Sequence, residues 1–333
     1  MGRGHGQALK RALVTGASGF LGGRLAEMLV ERGYQVRALV RQPCPRLQGL
    51  GVETVPGSLE SRLSLLEACR DRDVVFHCAA KAGIWGDWQD YHRSNVEGTA
   101  NLLEACRHHG VARFIFTSSP SVTFEAPGSA GGDESLAYPD NFLNHYSETK
   151  ALAEKAVLQA NGWGGMATTA LRPHLIYGPG DPHLIPHILR AARQDRLVQV
   201  GDGSNQVDLT FVDNAAWAHI LADENLEACA GRAYFISDDS PVALWPWINA
   251  LLQHLRISPV RRNISLAVAF RLGGVIEWIF RTFRVPGEPP LTRFTAQQLA
   301  LPHFYNLAAA RRDFGYTVLV DPVTALQRTL EAL

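Results

Sequence analysis

The segment Thr15-Gly16-Ala17-Ser18-Gly19-Phe20-Leu21-Gly22 constrains this chain more than any other. It follows a short apolar run, Arg11-Ala12-Leu13-Val14-Thr15, and precedes Phe20 to Arg32, where Leu21, Leu25, Met28 and Leu29 recur at helical spacing. Gly33 closes that helix as a C-terminal glycine. A strand that turns through three glycines into a helix brings backbone close to whatever lies at the turn. The helix start aims free N–H groups and partial positive charge at the same place. This geometry receives a phosphate or pyrophosphate. The spacing G-x-x-G-x-x-G, in its strand–turn–helix setting, predicts dinucleotide binding.

The rest of the first half repeats the alternation. Strands are predicted at Gln35–Val40, Glu53–Pro56, Asp73–Cys78, Ala112–Thr117 and Thr168–Arg172, with helices over Leu63–Cys69, Val96–His108 and Tyr146–Leu158. Apolar strands that alternate with helices imply a parallel sheet covered on both faces. The predicted class is α/β: a doubly wound parallel sheet (Rossmann) with a smaller, mostly helical C-terminal substrate lobe. The expected division is a dinucleotide-binding domain over 9–176 and a substrate lobe over 177–333, with 207–238 returning to the first through a strand at Ala233–Ser237.

Tyr146-Ser147-Glu148-Thr149-Lys150 opens one of these helices and places a phenol and an ammonium on one face. A phenol with pKa near ~10 exchanges protons poorly at neutral pH, and a nearby cation is expected to lower that value. The strand Phe114-Ile115-Phe116-Thr117-Ser118-Ser119 ends in hydroxyls at the carboxyl edge, where such sheets bind ligands. For the adenine ribose, no Asp or Glu occurs between Arg32 and Val52, while Arg37, Arg41 and Arg46 do. Arg41 directly follows the second strand, so its guanidinium is the expected partner of a 2′-phosphate, and NADPH is expected over NAD.

Together with Leu171-Arg172-Pro173-His174-Leu175-Ile176-Tyr177-Gly178-Pro179-Gly180, these motifs occur in the order seen in the extended short-chain dehydrogenase/reductase family, which the chain resembles over nearly its whole length. The resemblance implies a catalytic Tyr146, Lys150 and Ser119, with Ser118 as the fallback. It implies cofactor contacts from Gly16, Ser18, Gly19, Phe20, Leu21 and Gly22, from Arg41 and Ala79, and from Lys150 and Pro173. Asn95 matches the family's helix-opening asparagine, with a helix cap or a proton relay as its role. Gly57-Ser58-Leu59 and Val122-Thr123-Phe124 depart from the family pattern, the second away from sugar-nucleotide epimerases.

Two further stretches resemble the 2-alkyl-3-oxoalkanoate reductases of bacterial olefin biosynthesis: Ala79 to Trp88, and Pro289 to Leu299 with Ala309 to Tyr316. The 3β-hydroxysteroid and sterol-4-carboxylate dehydrogenases are similar to them. The implied reaction is NADPH-dependent reduction of a 3-oxo group on an apolar substrate. The alternatives are an NAD-dependent steroid or sterol dehydrogenase and a sugar-nucleotide epimerase or reductase. Arg293 is a candidate partner for a substrate carboxylate, and Trp85 and Trp88 for the pocket mouth. A homodimer is the family-level expectation.

The totals narrow the partners. Lys+Arg and Asp+Glu are 32 each, so the chain has no global attraction to nucleic acid or anionic membrane. Five dispersed cysteines lack metal spacing, and predict reduced thiols in a cytoplasmic protein with no metal site. The first eight residues have no apolar core and read as a frayed tail rather than a signal peptide. No apolar run is long enough to span a bilayer. Leu266 to Phe283 is apolar around most of its circumference, broken by Arg271, Glu277 and Arg281, and could wall a pocket, pack in a core, or rest on a membrane or partner.

Overall fold

The computed structural model describes residues 9–333, so the expected tail over residues 1–8 lies outside the described residues. Seven parallel strands form the main sheet: β1 (Arg11–Thr15), β2 (Gln35–Val40), β3 (Glu53–Pro56), β4 (Val74–His77), β5 (Arg113–Thr117), β6 (Ala167–Pro173) and β7 (Ala233–Ile236). Their order across the sheet is β7-β6-β5-β4-β1-β2-β3. The chain builds outward from β1 to β3 and then resumes on the other side with β4. The crevice between the carboxyl ends of β1 and β4 is therefore the topological switch point, where open α/β sheets bind ligands.

The helices used below are α1 (Phe20–Glu31), α2 (Arg62–Cys69), α3 (Gly98–His108), α4 (His145–Gln159), α5 (Val212–Glu224), α6 (Leu266–Thr282) and α7 (Arg293–Ala300). Side-chain alternation along β1 sends Ala12 and Val14 to one face, beneath α1 and α5. Leu13 goes to the other face, beneath α2, α3 and α4. Both faces are buried, which is why the strands read as continuous apolar runs. Beyond Tyr177 the chain is mostly helical, and α5 and β7 return from it to the main sheet. A small sheet joins it to the main body, ordered Val242–Ala243, Gln206–Val207, His303–Tyr305, Ser129–Gly132.

Candidate active site

Steric closeness fixes the crevice. Gly16 has φ +73°, and a Cβ there would lie 2.8 Å from the Ala79 backbone nitrogen at the end of β4. A Cβ on Gly22 would lie 2.4 Å from the Gly16 carbonyl oxygen. Side chains at either position would push the turn off the sheet or α1 off the turn. Gly19 is the N-cap of α1, with no side-chain cap and no acid in the first turn, so the leading N–H groups are left for an anion. Ser18, Gly19 and Phe20 line a cavity of about 780 Å³ shared with Arg24, Arg46 and Gly180. A cradle closed to any Cβ and opened by an uncapped helix fits a dinucleotide pyrophosphate.

A buried chain of hydrogen bonds supports this floor. The Ala79 N–H donates to Thr15 Oγ1 at 3.2 Å. Thr15 Oγ1 lies 2.7 Å from His77 Nδ1, and His77 Nε2 lies 3.0 Å from Thr99 Oγ1. Thr99 donates to the Asn95 carbonyl at 2.6 Å. Because the Thr99 proton is used there, His77 must donate from Nε2 and accept at Nδ1. Burial holds its pKa at about 3, with the Lys150 charge acting in the same direction, so it stays neutral.

The second half of the site stands at the end of β5. Asn144 caps α4, its Oδ1 accepting from the Ser147 N–H at 2.8 Å, and this sets Tyr146 and Lys150 in the first two turns. The Lys150 Nζ donates to the Thr117 carbonyl at 2.5 Å and sits 4.0 Å from the centre of the Phe116 ring. Burial lowers its pKa to about 7, while the negative charge of Glu154, and secondarily Cys78, works against that fall. Tyr146 behaves differently from the sequence expectation. Burial raises its pKa, and the opposing influence is the Ser119 hydroxyl rather than Lys150, whose ammonium is turned to the β5 carbonyl. Ser119 Oγ also lies 2.9 Å from Ser121 Oγ and accepts from the Ser121 N–H. Ser118 turns away toward Glu154, so of the two serines only Ser119 stands beside the phenol.

Several expectations are corrected. Arg37 is not free for a phosphate, because it pairs with Glu53 at 2.9 Å and donates to the Glu67, Ala68 and Arg70 carbonyls. Arg46 pairs with Glu27 at 3.1 Å across the turn. Arg41 is exposed at the end of β2, with no hydrogen-bond or ion-pair partner among the described residues. Arg293 is occupied by the buried Glu277, with Nε 2.8 Å from Oε2. Asn95 is no cap: it lies inside a π-helical turn, His92–Glu97, that runs into α3. Its Oδ1 accepts from the Lys81 N–H at 2.7 Å, and its Nδ2 donates to the Lys81 carbonyl and to Thr149 Oγ1, each at 3.1 Å. It thus ties the loop after β4 to the helix of Tyr146 and Lys150. Trp88 donates to Glu148 at 3.2 Å, and Trp85 meets Phe280 edge-on at 6.2 Å. Pro173 ends β6 beside Ile236 of β7.

Two buried networks escaped sequence reading. Glu154, one turn beyond Lys150, is bound by Arg172 at 2.6 and 2.9 Å and by the Tyr138 hydroxyl at 2.6 Å. An acid at i+4 on the otherwise packed face of α4 was the available signal. His174 Nε2 lies 2.6 Å from His303 Nδ1, and His303 Nε2 donates to the Gln298 carbonyl at 2.7 Å. Next to it, Phe294 of α7 meets Phe124 edge-on at 5.9 Å, and Phe124 meets the His303 ring at 5.7 Å.

The profile of the 3-beta hydroxysteroid dehydrogenase/isomerase family matches residues 13–268. The chain belongs to that family. Within it, the chain is 48% identical over 323 residues to the 2-alkyl-3-oxoalkanoate reductase of Stenotrophomonas maltophilia (strain K279a), covering 96% of this chain and 98% of that one. It is 39% identical to the protein of the same name from Shewanella oneidensis, covering 98% and 87%. It is 36% identical to the decarboxylating sterol-4-alpha-carboxylate 3-dehydrogenase of Homo sapiens, covering 97% and 88%. Among solved structures, gox2253 superposes with a TM-score of 0.80 at 25% identity, and MoeE5 in complex with UDP-glucose and NAD with 0.74 at 26%. The first covers 97% of both chains; the second covers 97% of this chain and 98% of its own. Like other members of the 3-beta hydroxysteroid dehydrogenase/isomerase family, the chain is an NAD(P)-dependent oxidoreductase with a Rossmann-type sheet.

Proposed function

We propose that the protein reduces the 3-oxo group of an apolar 2-alkyl-3-oxoalkanoate to the 3-hydroxy compound, using NADPH. One observation carries the reading: a neutral phenol, Tyr146, stands against a strand-end hydroxyl, Ser119, with Lys150 one helical turn on, beside the glycine-turn crevice. The 48% identity to a 2-alkyl-3-oxoalkanoate reductase over nearly the full length supports the substrate class. The reduced nicotinamide, when bound, supplies the hydride. Gly16, Ser18, Gly19, Phe20, Leu21 and Gly22 would hold its pyrophosphate, and Ala79 and Pro173 would contact it at the carboxyl edge. Arg41, exposed and without a partner among the described residues, would receive the 2′-phosphate. The 9–176 unit holds the cofactor together with the returning segment 207–238, and the 177–333 lobe shapes the substrate side.

In this reading, Tyr146 gives its proton to the oxygen of the carbonyl under reduction. A phenol whose pKa is raised by burial keeps that proton at neutral pH, which suits the direction of reduction. Ser119 hydrogen-bonds the same oxygen as negative charge grows on it. Lys150, which donates to the Thr117 carbonyl, would be the cation to hold the ribose hydroxyls of the bound cofactor and to offset the charge of the new phenolate. Glu154 favours the charged ammonium against the burial that lowers its pKa. The aromatic pair Phe124 and Phe294, on the chain that follows Ser119 and on α7, would exclude water and pack the alkyl chains.

The test is a substrate screen. A 2-alkyl-3-oxoalkanoate, a sterol carboxylate and a UDP-sugar are each supplied with NADPH and NADH or their oxidised forms, and absorbance of the reduced nicotinamide is followed. Turnover confined to the oxoalkanoate with NADPH is expected. Turnover with NAD alone of the sterol carboxylate, the substrate in the human relative's name, contradicts both the substrate and the role of Arg41.

A further inference from the structure

Leu175 is held in a backbone conformation that its side chain disfavours. Among the described residues other than glycine, those with positive φ are Asp71, Asp195, Asp239, Arg256, Arg284 and Leu175, the last at φ +39°. Aspartate tolerates this region, and both arginines are exposed in turns that follow helices. A bulky aliphatic residue is strained there. The surroundings impose the strain. The Thr210 hydroxyl donates to the His174 carbonyl at 2.5 Å and accepts from the His174 N–H at 3.1 Å. The Thr210 N–H donates to the Leu175 carbonyl at 3.4 Å. The His174 imidazole lies 2.6 Å from His303 and meets the Tyr305 ring edge-on at 5.5 Å. On the far side of Leu175, Ile176–Tyr177 pairs in parallel with Thr210–Phe211. With both neighbours fixed, residue 175 must make the turn alone. Strain of this kind persists only where neighbours over-determine it, and it gathers at ligand sites.

Position says what the strained side chain serves. Leu171 is level with Thr117 in the register of β5 and β6, so Pro173 stands level with Ser119 and Leu175 lies beyond both, past the carboxyl edge where ligands bind. Its side chain packs against the apolar cluster of the lobe and stays partly exposed. Glycine or asparagine would make the same turn without the strain. What leucine adds is an apolar surface, fixed in place by the backbone, two residues past Pro173. That surface suits an alkyl chain attached beside the reacting carbonyl, and offers nothing to the hydroxyls of a sugar.

We propose that Leu175 is a specificity-determining residue, held by the Thr210 and His174 contacts so that it packs against the alkyl chain next to the carbonyl under reduction. This rests on an apolar 3-oxo acid as the substrate. The test supplies NADPH with two 3-oxo acids, one with long alkyl chains and one with methyl groups in their place. Leu175→Gly should raise KM for the long-chain acid roughly 10- to 100-fold, the scale of a lost leucine contact. It should leave kcat for that acid, and KM for the methyl acid, within about threefold of wild type, as loss of uniform binding requires. Leu175→Met, of similar volume, should restore the long-chain KM. Relief of strain should also make Leu175→Gly less costly in Tm than Leu197→Gly, at a partly buried leucine of the same cluster outside the positive-φ region. A wild type that reduces neither acid sinks the substrate reading together with this one. Wild-type reduction of both acids, with KM values that Leu175→Gly leaves unchanged or raises equally, overturns the role of Leu175 alone. A Tm that falls further in Leu175→Gly than in Leu197→Gly also overturns it, and makes Leu175 a packing residue.

Discussion

Substituting Gly22 by alanine probes the cofactor cradle with a known steric dose. The added Cβ would stand 2.4 Å from the Gly16 carbonyl oxygen and 2.7 Å from its carbon, where ordinary contact begins at 3.4 Å. The deficit is about 1 Å against backbone, which has no rotamer to yield. Nor can the turn retreat, since Gly16 is already against Ala79. Helix α1 must therefore lift from the turn. Overpacking of this kind costs ~1–3 kcal/mol of stability. A shift of ~1 Å in positioned groups costs on the order of 100-fold. Gly22→Ala should lower Tm by a few degrees and weaken NADPH binding by roughly 10- to 100-fold, measured by calorimetric titration well below the new Tm. Gly49→Ala is the control, because nothing lies within 4 Å of its added Cβ. Wild-type NADPH affinity in a folded Gly22→Ala protein would refute the assignment of the pyrophosphate to this turn.

Other outcomes follow from the same geometry. Arg41→Ala should raise KM for NADPH at least about tenfold, at the scale of a lost charge-assisted contact, and leave that for NADH unchanged in steady-state assays. Ser119→Ala should lower kcat by about 100- to 1000-fold, whereas Ser118→Ala, on the side away from Tyr146, should not. His77 titrates at about 3 and His303 at about 4 because burial excludes their charged forms. Below the ordinary pKa of ~6.5 the unfolded chain takes up protons that the folded chain refuses. Stability from these groups is therefore complete above that value and declines as pH falls toward 4. Urea midpoints between pH 7 and pH 4 should decline less steeply in His303→Gln than in wild type; parallel profiles would exclude the imidazole pair.

Local chemistry was legible in the sequence, and long-range pairing was not. The glycine turn and the Tyr146–Lys150 spacing each encode their geometry within a few residues, and strand–helix alternation encodes a covered parallel sheet. The fates of the arginines depend on partners brought by the fold. Arg37 meets carbonyls at the end of α2, and Arg293 meets Glu277 sixteen positions earlier. His174 and His303 are 129 residues apart, and no local pattern announces their contact. Periodicity showed α6 to be apolar on most sides. Which side packs was decided by small residues, because Ala269 and Gly273 allow α7 to approach where Leu272 and Ile279 would hold it off. The sequence reading took Lys150 as the group that tunes the phenol. Side-chain direction instead gives Nζ to the Thr117 carbonyl and leaves Ser119 beside the ring.

The central claim is that the Tyr146 phenol passes the proton that accompanies hydride transfer. Comparing Tyr146→Phe with wild type for turnover and for NADPH binding tests it most directly, since the substitution removes one oxygen and leaves the ring. Turnover reduced by at least about 100-fold with NADPH affinity retained is the predicted result. Turnover within a few-fold of wild type would contradict the account.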